Sequence, residues 1–198
     1  MRVLLRAGLM AAAVAACAGA WAQDGAPCHH PKTQQDLPQV LGPGFVREAT
    51  HSYEAQLPGG GCSVRYKHPA GMWADVFIYR AGHGVIEDTA RDPRLMAEFQ
   101  QALSGIVQGW KQKNKGVVRD TEAKYVQRGD ARIEVMTAVA VIEVPDVTTY
   151  RTHVQLWSGG GSIWKLRATF SDADRAVSDP AIEALGNALV DLSRETAQ

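Results

Sequence analysis

The second half of the chain contains four strand-like runs joined by links too short for a parallel connection. The separators are residues 127–130, 144–147 and 158–162. A parallel crossover needs a dozen residues or more, whereas a short turn can join antiparallel neighbours. This region therefore predicts an antiparallel sheet. The four runs are residues 117–126, 131–143, 148–157 and 163–170.

Three more strand-like runs precede these, at residues 45–56, 62–67 and 72–80. Within the second of them, Cys62, Val64 and Tyr66 alternate with polar residues, which is the period of a half-buried strand. The aromatic and β-branched content of residues 72–80 favours a central strand. Turns rich in glycine and proline separate the three runs.

Two segments change to the helical period. Asp92 and Pro93 predict an N-cap and a first helical residue, and Gly116 can end that helix. Asp179 and Pro180 predict the same kind of start for a second helix. Both segments carry one apolar stripe. The stripes are Leu95, Met96, Phe99, Leu103, Ile106, Val107 and Trp110, then Ile182, Leu185, Leu189 and Leu192.

The predicted element order is therefore β-β-β-α-β-β-β-β-α. Strands in runs with two amphipathic helices predict an α+β fold, an antiparallel sheet of about six to seven strands covered by two main helices. Residues 45–198 form a single α+β domain in this interpretation. Residues 23–44 form an extended N-terminal segment, with one or two helical turns over residues 33–41 before the Gly-Pro-Gly at 42–44.

Residues 1–22 have the pattern of a cleavable signal peptide. Arg2 and Arg6 precede an uncharged stretch that is shorter than the ~20 residues of a membrane span, and residues 20–22 read Ala-Trp-Ala, a small-x-small cleavage site. We predict a periplasmic or secreted protein. The alternative is a membrane-anchored lipoprotein, because residues 14–17 resemble a lipobox whose Cys17 would be acylated.

If Cys17 leaves with the signal, Cys28 and Cys62 remain as an even pair in an oxidising compartment. We predict a disulfide between them, and two free thiols are the alternative. Closing a loop of this length contributes about 4 kcal/mol in the chain-entropy description. The C-x-x-C spacing of redox-active pairs is absent from the sequence.

Charge excludes some partners. The chain has 21 Lys and Arg against 21 Asp and Glu, so loss of Arg2 and Arg6 leaves a net charge of −2. Nucleic-acid binding favours a basic surface, and a strongly acidic substrate would favour one too. We therefore expect neither partner, and no later segment has the apolar length of a membrane span.

The last predicted hairpin carries a resemblance. Residues 164–169 read Trp-Lys-Leu-Arg-Ala-Thr, and residues 150–170 resemble a group of uncharacterised exported bacterial proteins that end in an aromatic-Lys-hydrophobic-Arg-x-Thr strand. The element order is similar to the Mog1/PsbP-like fold, including periplasmic proteins similar to DcrB. That resemblance implies an accessory or binding role, and it brings no catalytic motif.

Local motifs predict no catalytic, cofactor or metal site. Cys28, His29 and His30 are adjacent, but a disulfide at Cys28 leaves two neighbouring imidazoles that rarely bind one ion. The other histidines lack the i, i+4 spacing of a helical zinc pair. The glycine runs and the Arg-Gly-Asp at 128–130 are explained as turns. These other histidines are His51, His68, His83 and His153.

Tryptophans are the feature that most favours binding. Trp73, Trp157 and Trp164 lie in predicted strands and could form a ligand or partner surface, and core packing is the competing explanation.

Three hypotheses for function follow from these observations. The first is an exported, non-catalytic accessory or binding protein. The alternative is a carrier of a small molecule or lipid, with a pocket between sheet and helix lined by Trp110, Trp73 or Met72. The third is an enzyme with dispersed catalytic residues, which needs a pocket that joins His153 or His83 to a carboxylate.

Overall fold

The computed structural model describes residues 23–25, 27–113 and 116–195, which form one antiparallel sheet and two α-helices. The predicted α+β class is confirmed. The predicted signal peptide and Cys17 lie outside the described residues. The elements are β1 (Gln23–Asp24), β2 (Val40–Leu41), β3 (Phe45–Ser52), β4 (Cys62–Lys67), β5 (Trp73–Tyr79), α1 (Pro93–Lys113), β6 (Val117–Arg128), β7 (Ile133–Val144), β8 (Thr148–Gly159), β9 (Ser162–Ser171) and α2 (Arg175–Ser193).

The strands lie across the sheet in the order β1-β3-β4-β5-β9-β8-β7-β6. Two meanders, β3 to β5 and β6 to β9, therefore meet in the middle where β5 pairs with β9. The seven long strands match the predicted runs. The predicted strand number was too low because β1 and β2, two residues each, also pair with the outer edge of β3.

The predicted helical turns over residues 33–41 are wrong. The chain instead makes a tight turn, in which His30 Nδ1 accepts hydrogen bonds from the backbone N–H groups of Lys32 and Thr33. The chain then reverses direction, and the N–H of Leu37 donates a hydrogen bond back to the Cys28 carbonyl. The segment 23–44 thus supplies β1 and β2 to the same sheet.

The start of α1 is confirmed, and the start of α2 is corrected. Asp92 Oδ1 accepts a hydrogen bond from the Arg94 N–H, as an N-cap residue does. In contrast, α2 begins at Arg175, because a 3-10 turn over Asp172–Asp174 leads β9 directly into it. Pro180 therefore lies inside the helix, where it has no N–H to donate.

One face of the sheet, the α2 face, is closed. Trp157 and Trp164 pack beneath α2 side chains such as Leu185 and Leu189, and the segment 28–41 closes the rest. Alternate residues of β9 face this core and belong to the same cluster, namely Trp164, Leu166, Ala168 and Phe170.

The predicted disulfide is confirmed and ties the N-terminal segment to the closed face. Cys28 and Cys62 are bonded at a sequence separation of 34, and Cys28 is buried. The chain-entropy contribution of such a loop is about 4 kcal/mol. The bond therefore fixes the segment that covers one end of this core.

The opposite face, the α1 face, carries a second core. The α1 side chains Leu95, Phe99 and Ile106 pack on β7 and β8, where Ile142 and Leu156 are buried. Within the described part of the chain, neither helix has the length and apolar character needed to cross a membrane.

Candidate ligand groove

The α1 face is incompletely covered. Helix α1 lies over β6, β7 and β8, and the part of the neighbouring β5 and β9 surface around Trp73, Arg167 and Thr169 stays open. A cavity of about 670 Å³ lies between the helix and this surface, and a second of about 330 Å³ adjoins it. We call the combined space the α1 groove. It is lined by Trp73, Glu98, Gln101, Ala102, Gly105, Ile106, Gly109, Trp110, Val144, Val147, Tyr150, Thr152, Val154, Lys165, Arg167 and Thr169.

One end of the groove is aromatic and apolar. Trp73, the first residue of β5, is 41% exposed, and the Trp110 ring packs against Tyr150 with centroids 5.1 Å apart. Val147, in the turn between β7 and β8, is 68% exposed at the same end. Exposed apolar side chains that line one concavity form a surface suited to an apolar ligand group.

A bridged ion cluster lies beside the groove, two residues along β5 from Trp73. Asp75 on β5 accepts hydrogen bonds from Arg65 Nε at 2.8 Å and from Arg167 Nη2 at 3.2 Å. Its carboxylate is almost fully buried, whereas both guanidinium groups are about half exposed. The hydrogen bond that Arg65 donates to Asp75 raises the pKa of Arg65. One negative charge thus lies between two positive ones, and Arg167 reaches the groove.

Lys165 is the second cation of the groove floor. Its Nζ atom lies over the rings of Phe77 and Tyr79, at 4.5 and 4.9 Å from their centroids. Burial lowers the pKa of Lys165, and repulsion from Arg167 lowers it further. The aromatic faces attract the ammonium group, but they supply no negative charge to neutralise it.

Glu98 on α1 faces Lys165 across the second cavity, and its own oxygens are already occupied. The Tyr79 hydroxyl donates a hydrogen bond to Glu98 Oε2 at 3.1 Å, and His83 Nε2 lies 3.5 Å from Oε1. Burial and the adjacent carboxylate raise the pKa of Tyr79. The groove is therefore lined by two cations, Lys165 and Arg167, and by one carboxylate, Glu98, whose oxygens already contact Tyr79 and His83.

Two glycines of α1, Gly105 and Gly109, place no side chain on the helix side of the groove. A Cβ atom built on Gly105 or Gly109 would have no heavy atom within 4 Å, so packing in the protein does not require glycine at either position. Each glycine inside a helix costs about 0.5–1 kcal/mol relative to alanine. Their effect is to leave space along the helix where the groove opens.

The predicted tryptophan surface is only partly formed. Trp73 lines the groove, but Trp157 and Trp164 are fully buried on the α2 face. These two form no surface, and core packing, the competing explanation, holds for both. Their indole N–H groups donate to Ser193 Oγ and to the Gly159 carbonyl, as buried tryptophans require.

The carrier hypothesis named three lining residues, and the structure places two of them at the groove. Trp110 and Trp73 line it on opposite sides, from α1 and from β5. Met72 is buried in the other core.

The histidines do not converge on one site, and even the neighbours His29 and His30 have different partners. His29 pairs with Asp36 at 3.1 Å, His30 is buried beside Trp164, and His68 packs on Phe45. His153 lies under α2. In the described ranges, no group of three or more His, Cys, Asp or Glu side chains is arranged to hold a metal ion.

Sequence reasoning missed the charged residues in and beside the groove, which are Lys165 and Arg167 on its floor and Arg65 and Asp75 next to it. The available signal was their position, because three of them lie on strands that are central in the sheet. Charged residues on the second face of a central strand indicate a face that is not fully covered.

No protein-family model matches the chain, and a search of curated proteins found no match. The resemblance to the Mog1/PsbP-like fold therefore stays a prediction.

Proposed function

We propose that this chain is an exported, non-catalytic binding protein that carries a small molecule in the α1 groove. The observation that carries the proposal is the open part of the α1 face, where an exposed tryptophan and two cations share one concavity. The accessory and binding roles implied by the sequence resemblance are consistent with this function.

The dimensions and lining of the groove support a ligand of drug-like size. Small-molecule sites commonly have volumes of about 300–1,000 Å³, with mostly apolar walls and a few placed polar groups. The larger cavity of the α1 groove is within that range. Thr152 and Thr169, hydrogen-bonded to each other at 3.0 Å, add polar atoms to its floor.

The contacts of the nearest histidine support binding over catalysis. His83 does approach a carboxylate, Glu98, at the edge of the groove. Among the described residues, no serine, threonine or cysteine side chain is hydrogen-bonded to either of them, so the pair has no partner to activate as a nucleophile. Turnover of a substrate that depends on His83 would contradict the proposal.

Export is the second part of the proposal. It is supported by the pattern of residues 1–22 and by a disulfide of the kind found in oxidising compartments. Intact-mass analysis of the membrane and soluble fractions tests it. A mature protein that begins at Gln23 supports cleavage, an acylated Cys17 would support the lipoprotein alternative, and a full-length cytoplasmic product would contradict export.

Native mass spectrometry of protein isolated from its own host tests the carrier function. We expect a bound small molecule that is displaced in a Gly105→Leu variant, because leucine at this position would project into the groove. Ser104→Leu is the matched control, since Ser104 is the adjacent exposed residue and does not line the groove.

Two results would contradict the carrier function. One is a bound molecule that survives Gly105→Leu. The other is the absence of an adduct from the native protein together with no thermal stabilisation by any member of a broad metabolite set.

A further inference from the structure

We infer that the ligand of the α1 groove is an organic anion with a flat, aromatic body, bound with its charged group toward Lys165 and Arg167 and its body toward Trp73 and Trp110. This inference rests on the proposed binding function and specifies its ligand.

The groove has two chemically different ends. Trp73, Trp110 and Tyr150 border the larger cavity, whereas Lys165 lines the smaller one, and Arg167 lines both. A ligand that occupies the groove along its length therefore meets aromatic rings at one end and cations at the other. Aromatic rings pair favourably with other flat rings through offset or edge contacts.

Charge complementarity determines the sign of the ligand. The charges of Arg65 and Asp75 cancel beside the groove. In the groove itself, the two positive charges of Arg167 and Lys165 outnumber the single negative charge of Glu98. The Lys165 ammonium forms no ion pair with any described residue and rests on ring faces. An anionic group would supply the missing negative charge, whereas a cation would add to the repulsion.

The arrangement of Lys165 also argues for ligand binding over a structural role. A structural cation is usually paired with a carboxylate when it is partly buried. The carboxylate that lines the same cavity, Glu98, is instead held by the Tyr79 hydroxyl and His83. The carboxylate that could neutralise Lys165 is thus held on the helix side, and the ammonium remains available to a ligand.

Two fluorescent probes that differ mainly in one charged group test this inference. The first is 8-anilinonaphthalene-1-sulfonate, and the second is N-phenyl-1-naphthylamine, which has the same ring system without the sulfonate. The measured quantity is the ratio of their dissociation constants for the disulfide-bonded mature protein. We compare the wild type with a Lys165→Met variant, in which the long side chain can still pack on Phe77 and Tyr79.

We expect Lys165→Met to reduce the preference for the sulfonate about tenfold, because a charge-assisted hydrogen bond contributes about that much to affinity. Affinity for the uncharged probe should stay within about twofold, since its rings contact the other end. Lys124→Met is the matched control. Lys124 is an exposed lysine on β6, paired with Glu122 and outside the groove, and its loss should leave the ratio unchanged.

The outcomes separate the inference from the proposed function. If both probes bind and are displaced by Gly105→Leu, but the ratio is the same in Lys165→Met, the groove binds ligands without selecting anions and this inference is wrong. If neither probe responds to Gly105→Leu, the groove does not bind such molecules and the proposed function fails as well. Should Lys165→Met not fold by circular dichroism, Arg167→Gln provides the second variant, with the same expected loss of preference.

Discussion

The two faces of the sheet are covered by helices of similar length, but the α2 face is closed and the α1 face keeps an open groove. On the α2 face, a 19-residue helix and the disulfide-tied segment 28–41 bury two tryptophans completely. On the α1 face, a 21-residue helix covers β6, β7 and β8 and leaves an open groove over β5 and β9. Helix length therefore does not decide closure. The additional cover from the N-terminal segment and the charged residues of the floor make the difference.

The largest difference between the faces should appear when one tryptophan is removed from each. Trp164→Ala empties a buried site and should lower the free energy of unfolding by about 3–5 kcal/mol. Trp73→Ala acts on a half-exposed side chain and should cost about 1 kcal/mol or less. Urea denaturation of the two variants measures both. Equal costs would show that the groove is as tightly packed as the core.

Loss of the disulfide should affect the closed face alone. The variant with both Cys28→Ser and Cys62→Ser should lose about 2–4 kcal/mol, because the unfolded chain regains its loop freedom. The groove shares no element with the released segment, so groove ligands should bind the folded variant as before. Chemical denaturation and a ligand titration at low denaturant measure the two effects. A matching loss of ligand affinity would contradict the separation of the faces.

The same substitution in each helix should have effects of opposite sign. In α2, a Cβ on Gly186 would collide with the buried Gln155 amide, so Gly186→Ala should destabilise the protein by about 1–3 kcal/mol. In α1, Gly105→Ala meets open space and should stabilise it by about 0.5–1 kcal/mol. Thermal unfolding of both variants tests the pair. Destabilisation by Gly105→Ala would mean that the helix wall of the groove is packed.

The smallest expected effect is a loss of stability in mild acid that originates on the closed face. Burial lowers the pKa of both His30 and His153 below 6.5. The unfolded chain therefore binds protons first as the pH falls through 6.5, and the free energy of unfolding decreases below that pH. Urea titrations at pH 7.5 and 5.5 should show this fall. His153→Gln should reduce it, and an unchanged fall would assign the acid sensitivity to other groups.

Local patterns predicted the long elements because each has a clear period. The alternation of β9 places Trp164 and Phe170 on the same face of the sheet, and both lie in the core under α2. The three-four spacing of α1 places Leu95 and Phe99 on one side of that helix, and both lie in the core between α1 and the sheet. Local rules failed at Pro180, where tertiary packing extends the helix through a residue that usually starts one. They also failed for β1 and β2, because strands of two residues are too short to show an alternating period.

The groove could not be predicted in the same way because distant pairings create it. Arg167 on its floor and the Asp75 carboxylate that holds this arginine are 92 residues apart in sequence and meet only because β5 pairs with β9. The position of α1 over β6 to β8 is likewise set by packing between elements. Sequence could indicate Trp73 and Trp110 as candidates, but no local pattern reveals that their side chains border one cavity.

Strand β9 separates the side chains that pack in the core from those that line the groove. Its residues point alternately to the two faces, so Trp164, Leu166 and Ala168 support the core, while Lys165 and Arg167 face the groove. Replacing the second set leaves the first in contact with α2. Under the proposed function, ligand preference and fold stability depend on alternating positions of one strand. Engineered libraries can then vary recognition at the groove-facing positions while the scaffold stays constant.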